Sequence, residues 1–405
     1  MLPFTRSRIL GLAFALCLAG TAGMSASAAP PIGATSLDRF ILAQMRWSHI
    51  PGLSAVVVKN GAIVWRGAYG FRDAAKKHPV TPDTLFELAS VSKTVLAVAV
   101  LQLVEQGKLG LDGDVSGALP FRVRNPNFPD RTITLRMLLG HVSGIVDNWP
   151  VIKVHSVENA DAPVSLRDWF SGYLTPEGAW YSKEANFSRN PPGTAFTYSN
   201  QAAALSALAV EGASGEPFDR YCRDHIFAPL DMTETSYRLA ELDPAHIAMP
   251  QVWQGGRFVE LGHHGFPDYP AGTLRTSAPQ LAHFLLMVMN GGEYPRPDLA
   301  RLRMPVRQRS EPTFSAQRRI GWTCAQKSRH DYSGTRNQHA IADVQCVAGA
   351  CLECGPPLGV CALDLRHTHC SEGRRHEAAC SIKLWLRGAG AAYRPVRGAA
   401  RHRAA

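Results

Sequence analysis

The chain has 405 residues, 45% of them hydrophobic, and a formal net charge of +10. That length is ample for a sizeable core, and beyond the N-terminal segment no apolar run reaches the about 18 residues of a membrane span. The charge is local: residues 323–405 carry 12 Lys+Arg against 6 Asp+Glu and Arg6 and Arg8 sit at the start, so the body between is nearly balanced, which excludes a nucleic-acid-binding surface there.

Arg6 and Arg8 precede the apolar run "ILGLAFALCLAG" and the small-residue stretch "MSASAAP". Ala26-Ser27-Ala28 is an A-x-A cleavage signal, so residues 1–28 read as a secretory signal peptide. The mature chain is expected to be periplasmic or secreted, with no stable membrane anchor after cleavage. "GLSAVVVKNGAIVWRGAYG" (52–70) predicts a β-hairpin turning at Asn60-Gly61. "ELASVSKTVLAVAVLQLVEQGKLGLD" (87–112) follows; between Val95 and Val104 only Gln102 is polar, which predicts a helix buried nearly all round and ended by Gly107. "TITLRMLLGHVSGI" (132–145) has helical spacing up to Ser143-Gly144. From Val146 to Asn190, Trp149, Trp169, Trp180 and Tyr181 stand among polar residues, which predicts loops and short helices shaping a pocket. Helices are predicted in "SNQAAALSALAVEGASG" (199–215), in "PFDRYCRDHIFAPL" with Phe218, Tyr221, Cys222, Ile226 and Phe227 on one face, and in "TSAPQLAHFLLMVMNGG". A second hairpin is expected around Gly255-Gly256. Strands, then many helices, then strands again predict an α+β sandwich with a helical insertion.

Ser90 and Lys93 stand one turn apart at the entrance of the buried helix. A serine alcohol becomes a nucleophile when a base takes its proton, and S-x-x-K at a helix start brings an amine to the hydroxyl. A dry site favours the neutral amine, and the helix N-terminus favours a developing anion. The bland alternative makes Ser90 a helix cap and Lys93 a snorkelling surface residue. "PPGTAFTYSN" (191–200) supplies a second element, in which Tyr198 and Asn200 face the same side of an extended segment. A phenol there can relay the serine proton, and the Asn amide can hold Lys93 and a substrate carbonyl. Its alternative is a packed tyrosine with Asn200 as an ordinary N-cap.

These segments, with "IPGLSAVVVKNGAIVWRGAYG", "TPDTLFELASVSKT", "LVEQGKLGLD", "ITLRMLLGHVSGI", "IFAPLDMTETSY" and "PAGTLRTSA", resemble the serine β-lactamase and penicillin-binding-protein family over about residues 36–322. The S-V-S-K and Y-S-N forms are similar to its branch of class C β-lactamases, DD-peptidases and esterases. The resemblance implies a β-lactamase/transpeptidase-like α+β fold: an antiparallel sheet flanked by helices, plus a mostly helical subdomain. It implies Ser90 as the acylated nucleophile, Lys93 and Tyr198 as its base pair and Asn200 as a substrate-positioning residue. It implies no metal and no cofactor. His141 and Ser143-Gly144 match a family segment and read as a structural capped turn. The activity implied is hydrolysis of a β-lactam, a D-Ala peptide or an ester through an acyl-enzyme, on a small-molecule or peptidoglycan-type substrate. The alternative is a non-catalytic or disrupted member that binds without turnover.

Such proteins carry a third motif, K-T-G or H-x-G, on a strand beyond "IGW", here Ile320-Gly321-Trp322. Tyr332-Ser333-Gly334-Thr335 lacks the basic residue, and "RHTHC" (366–370) lacks the glycine. Residues 323–405 hold seven of the nine cysteines, six of the 15 histidines and none of the 16 phenylalanines. Loss of motif and change of composition together suggest an out-of-frame reading of a GC-rich gene after about residue 322. The C-terminal strands that should flank the N-terminal hairpin are then in doubt, and only "SIKLWLRG" (381–388) reads as a strand. A zinc site around Cys351, Cys354, Cys361, His367, His369 and Cys370, or a set of disulfides, are the other readings of this tail.

Overall fold

A computed structural model describes residues 35–296, 299–303, 346–351 and 358–364. The predicted signal peptide, the segment searched for the third motif and "SIKLWLRG" lie outside the described residues. The chain divides into two compact units, residues 1–44 and 45–405. The described part of the first is the opening of helix α1 (Ser36–Trp47), where Thr35 and Asp38 form a capping box: the Asp38 N–H donates to Thr35 Oγ1 and the Thr35 N–H to Asp38 Oδ2, each at 3.1 Å.

In the second unit the strands are β1 (Gly52–Lys59), β2 (Ala62–Gly70), β3 (Phe86–Glu87), β4 (Val157–Glu158), β5 (Gln251–Gln254), β6 (Arg257–Glu260), β7 (His264–Gly265), β8 (Arg275–Thr276), β9 (Glu293–Arg296), β10 (Leu299–Arg303), β11 (Cys346–Cys351) and β12 (Leu358–Asp364). The helices are α2 (Ser92–Glu105), α3 (Leu135–Leu139), α4 (Trp149–Val154), α5 (Leu166–Leu174), α6 (Asn200–Ser214), α7 (Phe218–Cys222) and α8 (Ala278–Met289). The main sheet is antiparallel in the order β11-β12-β1-β2. Both predicted hairpins form. Asn60 and Gly61 have φ of 53° and 78°, and Gly255 and Gly256 have 59° and 79°, the left-handed pair that a two-residue primed turn requires.

The sheet corrects the doubt about C-terminal strands. β1 is buried along all but its last residue, whereas β2 is largely exposed or half-exposed. A strand with no solvent face belongs in the middle of a sheet, and β12 supplies its second neighbour, with Val57 opposite Val360. Strands therefore form at 346–351 and 358–364, where none was predicted.

α8 lies against β12, β1 and β2, and α2 packs on α6 and α7. One apolar cluster joins Val56 and Val58 of the sheet to Val95, Leu96 and Val100 of α2, Leu205 and Leu208 of α6, and Leu281 and Leu285 of α8. α2 is buried nearly all round, as its sequence predicts, and Gly107 at φ 71° closes it, with the Lys108 N–H donating to Leu103 O at 2.9 Å. The predicted 132–145 helix shrinks to five residues, because the chain turns at Gly140 and His141 takes φ 56°. Trp169 is fully buried rather than lining a pocket: its ring lies 5.0 Å from that of Trp180 with the planes tilted by 31°, and its Nε1–H donates to Gln201 Oε1 of α6 at 2.7 Å.

Candidate active site

Three segments converge on Ser90. β3 pairs with β8, Glu87 facing Arg275, and the Leu88 N–H extends the pairing to Leu274 O at 2.8 Å. Ala89 then turns at φ 43° into a short 3₁₀ turn, Ala89–Val91, that presents Ser90 ahead of α2. A positive φ on a residue with a Cβ is a strained conformation, held here by the paired strands before it and the buried helix after it. The turn and α2 place Lys93 Nζ 3.2 Å from Ser90 Oγ.

The second segment enters α6. Ser199, not Asn200, is the N-cap: its Oγ accepts the Ala202 N–H at 2.9 Å. That overturns the bland reading of Asn200 and leaves its side chain free to reach Lys93, whose Nζ donates to Asn200 Oδ1 at 2.7 Å. One residue back from the cap, the Tyr198 hydroxyl donates to Ser90 Oγ at 2.7 Å, and Lys93 Nζ lies 5.0 Å from the centre of the Tyr198 ring. Tyr198 is 45% exposed, so the group of four opens to solvent on its side. Ser90, Lys93, Tyr198 and Asn200, all chosen from sequence, are thus joined in one chain of hydrogen bonds, Tyr198 to Ser90 to Lys93 to Asn200.

The third segment, which sequence reading missed, is the turn Tyr269–Ala271. The Ala271 carbonyl accepts from Lys93 Nζ at 2.8 Å. A backbone carbonyl carries no side-chain signature; the only cue was that "PAGTLRTSA" belongs to the recurring family text. Asp147 was also missed. Its carboxylate accepts from Ser199 Oγ at 2.8 Å and from the N–H groups of Asn200 and Gln201 at 3.0 Å each, so it holds the start of α6 against the helix dipole. A separate cleft of about 500 Å³, bordered by Leu208, Glu211, Arg238 and Tyr269, includes none of the four site residues. Among the described residues no group of His, Cys, Asp and Glu is arranged to hold a metal.

Close enough to Lys93 to feel its charge is a buried carboxyl, Asp268, whose Oδ2 accepts from Gln201 Nε2 at 2.9 Å. Burial, and then the charge of Asp147, push its pKa up to about 7. A carboxyl raised on folding contributes stability at acid pH that fades as pH rises through the folded value; between pH 5 and 8 the loss is roughly 3 kcal/mol. Asp268→Asn keeps the acceptor for Gln201 and removes the ionisation. Its melting temperature relative to the parent should therefore rise from pH 5 to pH 8, and a constant offset in calorimetry across that range would refute the assignment.

The antiparallel sheet with its flanking helices, and the S-x-x-K serine facing a Y-x-N loop, define the serine hydrolases built on the penicillin-binding-protein plan. The chain belongs to the Beta-lactamase family, whose profile matches residues 37–342. It is 29% identical over 255 residues to Protein flp of Staphylococcus aureus, an alignment covering 63% of this chain and 48% of that one. The chain thus spans about half the length of the curated relatives it matches. Its fold is similar to that of a penicillin binding protein from Bacillus halodurans, with a TM-score of 0.56 at 22% identity, over 81% of this chain and 95% of that one. EstCE1, a hydrolase with promiscuous acyltransferase activity, shares the fold with a TM-score of 0.55 at 17% identity, over 81% and 92% of the two chains.

Proposed function

We propose that the protein is an exported serine hydrolase that works through an acyl-enzyme on Ser90. The observation that carries this is the convergence of Lys93 and Tyr198 on one serine oxygen, at 3.2 and 2.7 Å. Asn200 Oδ1 and the Ala271 carbonyl are acceptors only, so they take two N–H groups of Lys93 and aim the remaining position of its nitrogen at Ser90, as a lone pair once the ammonium has given up its third proton. The amine then takes the serine proton as Oγ bonds to the substrate carbonyl carbon. Tyr198 passes a proton to the leaving group as the carbonyl–leaving-group bond breaks. Water, deprotonated by the same pair, adds to the acyl carbon, and the acid leaves as Ser90 regains its proton. The backbone N–H of Ser90, on the 3₁₀ turn Ala89–Val91 ahead of α2, is the donor at hand for the oxyanion. The backbone of β11 runs beside Ala89–Val91, which supports it as the source of a second donor.

Among the described residues the cation bonded to Ser90 is Lys93, and three contacts commit its amine. Among the described residues no second positive group is bonded to Ser90 to hold a substrate carboxylate. The sequence after Trp322 has no K-T-G or H-x-G motif, and this supports small esters as substrates over β-lactams and D-Ala peptides, which carry a carboxylate to be anchored. Incubation with a fluorophosphonate and with a fluorescent penicillin tests the reading. A covalent adduct with the first, lost in Ser90→Ala, is the expected result. A folded sample that forms no adduct with either probe would leave a protein that binds without turnover.

A further inference from the structure

We propose that His141 is a positioning residue for Tyr198: it grips both peptide neighbours and the ring of that tyrosine, and so fixes the phenol on Ser90. The inference rests on the acyl-enzyme reading of Ser90 and assigns work to a residue whose sequence reads as part of a structural turn.

The grip has three points. The N–H of Thr197 donates to the His141 carbonyl at 2.7 Å, and the N–H of Ser199 donates to His141 Nδ1 at 3.3 Å. Between them the imidazole lies against the Tyr198 ring, with centres 4.3 Å apart and planes 32° from parallel. Tyr198 thus has the peptide on either side of it, and its own ring, tied to a single residue. An aromatic side chain that is 45% exposed has room to swing, and these contacts remove that room on one face.

His141 is itself held. Its N–H donates to Leu138 O at 3.2 Å, the Val142 N–H to Met137 O at 2.9 Å, and the Gly193 N–H to Val142 O at 2.7 Å. The residue is 6% exposed. Burial, and then the nearby Lys93 charge, hold the imidazole neutral with a pKa of about 4. A neutral ring can accept at Nδ1, which places its proton on Nε2.

The residue type follows from these demands together. The position needs φ of 56°, which asparagine and histidine tolerate better than most. It needs an acceptor for the Ser199 N–H and a flat ring for Tyr198. Asparagine meets the first two demands and fails the third. Phenylalanine meets only the third.

Displacement of a reacting group by about 1 Å costs on the order of a hundredfold in rate. His141→Asn should therefore slow acylation by a fluorophosphonate by roughly 10- to 100-fold, with the melting temperature and the reversible affinity for the probe little changed. The deciding readout is the double variant. If His141 acts through Tyr198, then adding H141N to Tyr198→Phe costs less than about a further twofold, because the phenol it positions is already gone. Losses that multiply, or an H141N that acylates at the parent rate, overturn the proposal. Should H141N melt early, His141→Gly, which accepts the left-handed φ without strain, supplies the same comparison. Parent and Ser90→Ala are labelled alongside. No Ser90-dependent adduct in the parent sinks the acyl-enzyme reading and this proposal together, whereas an adduct with multiplicative losses sinks this proposal alone.

Discussion

Lys93→Met should lower the rate of Ser90 acylation by about three orders of magnitude, within the range of roughly 10²–10⁴ that a positioned general base contributes. Methionine keeps most of the side-chain volume, so the loss comes from the amine. Two consequences follow its removal. Among the described residues, Ser90 Oγ then keeps the bond donated by the Tyr198 hydroxyl at 2.7 Å and has no amine to take its proton. Asn200 Oδ1 and the buried Ala271 carbonyl lose the donor they share, and an orphaned acceptor costs about 1–3 kcal/mol. The melting temperature should fall as well. Lys93→Arg separates the two meanings of the amine. Arginine restores a positive charge but cannot give up its proton near neutral pH. If Lys93 is the base, the arginine variant stays as slow as methionine. A stopped-flow rate within tenfold of the parent would instead make Lys93 an electrostatic partner and leave Tyr198 as the acceptor.

Much of this site was legible in the chain because its chemistry sits in side chains at fixed local spacing. S-x-x-K at the entrance of an apolar run, and Y-x-N before another, are visible to anyone who asks why a lysine borders a buried helix. The hairpins were legible for the same local reason: Asn60-Gly61 and Gly255-Gly256 encode a backbone conformation that few other residues accept. What was not legible is set by distance in sequence. The partner of β1 comes from residues 358–364, some three hundred positions on, in a tail whose composition hides its strands. The Ala271 carbonyl bonds Lys93 from 178 positions away without any side chain to announce it. Asp147 caps α6 from 52 to 54 positions away, and nothing in its local sequence announces that partner. His141 shows a third kind of silence: G-H-V-S-G reads as a turn, and it is one, but which ring that turn touches is decided by tertiary packing.

Arg275→Met should cost about 3–5 kcal/mol of stability at neutral pH, the usual consequence of removing one member of a buried ion pair. Arg275 is 1% exposed, and its Nη2–H donates to Glu87 Oε2 at 2.7 Å while Nη1–H donates to Thr273 O at 3.0 Å. Burial already pushes the Glu87 carboxyl up, and Arg275 is the largest influence pulling it back. Without the guanidinium, Glu87 would be a charge with little water around it. The sign of the pH dependence follows. In the variant the folded-state pKa of Glu87 rises further, so the deficit against the parent is largest at high pH and shrinks as acid supplies the proton that neutralises the side chain. Denaturant unfolding at pH 5 and pH 8 checks this, and a deficit below about 1 kcal/mol at pH 8 would sink the argument. The double change Glu87→Met with Arg275→Met should recover most of the loss, because two packed apolar side chains leave no buried charge. The pair also bears on the proposed acylation of Ser90. It joins β3 to β8 three residues before Ser90, next to Ala89 with its φ of 43°. A strained turn keeps its shape only while its flanks are fixed, so the single variant should lose acylation rate beyond its unfolded fraction. The apolar double, with the strands still paired, should regain it.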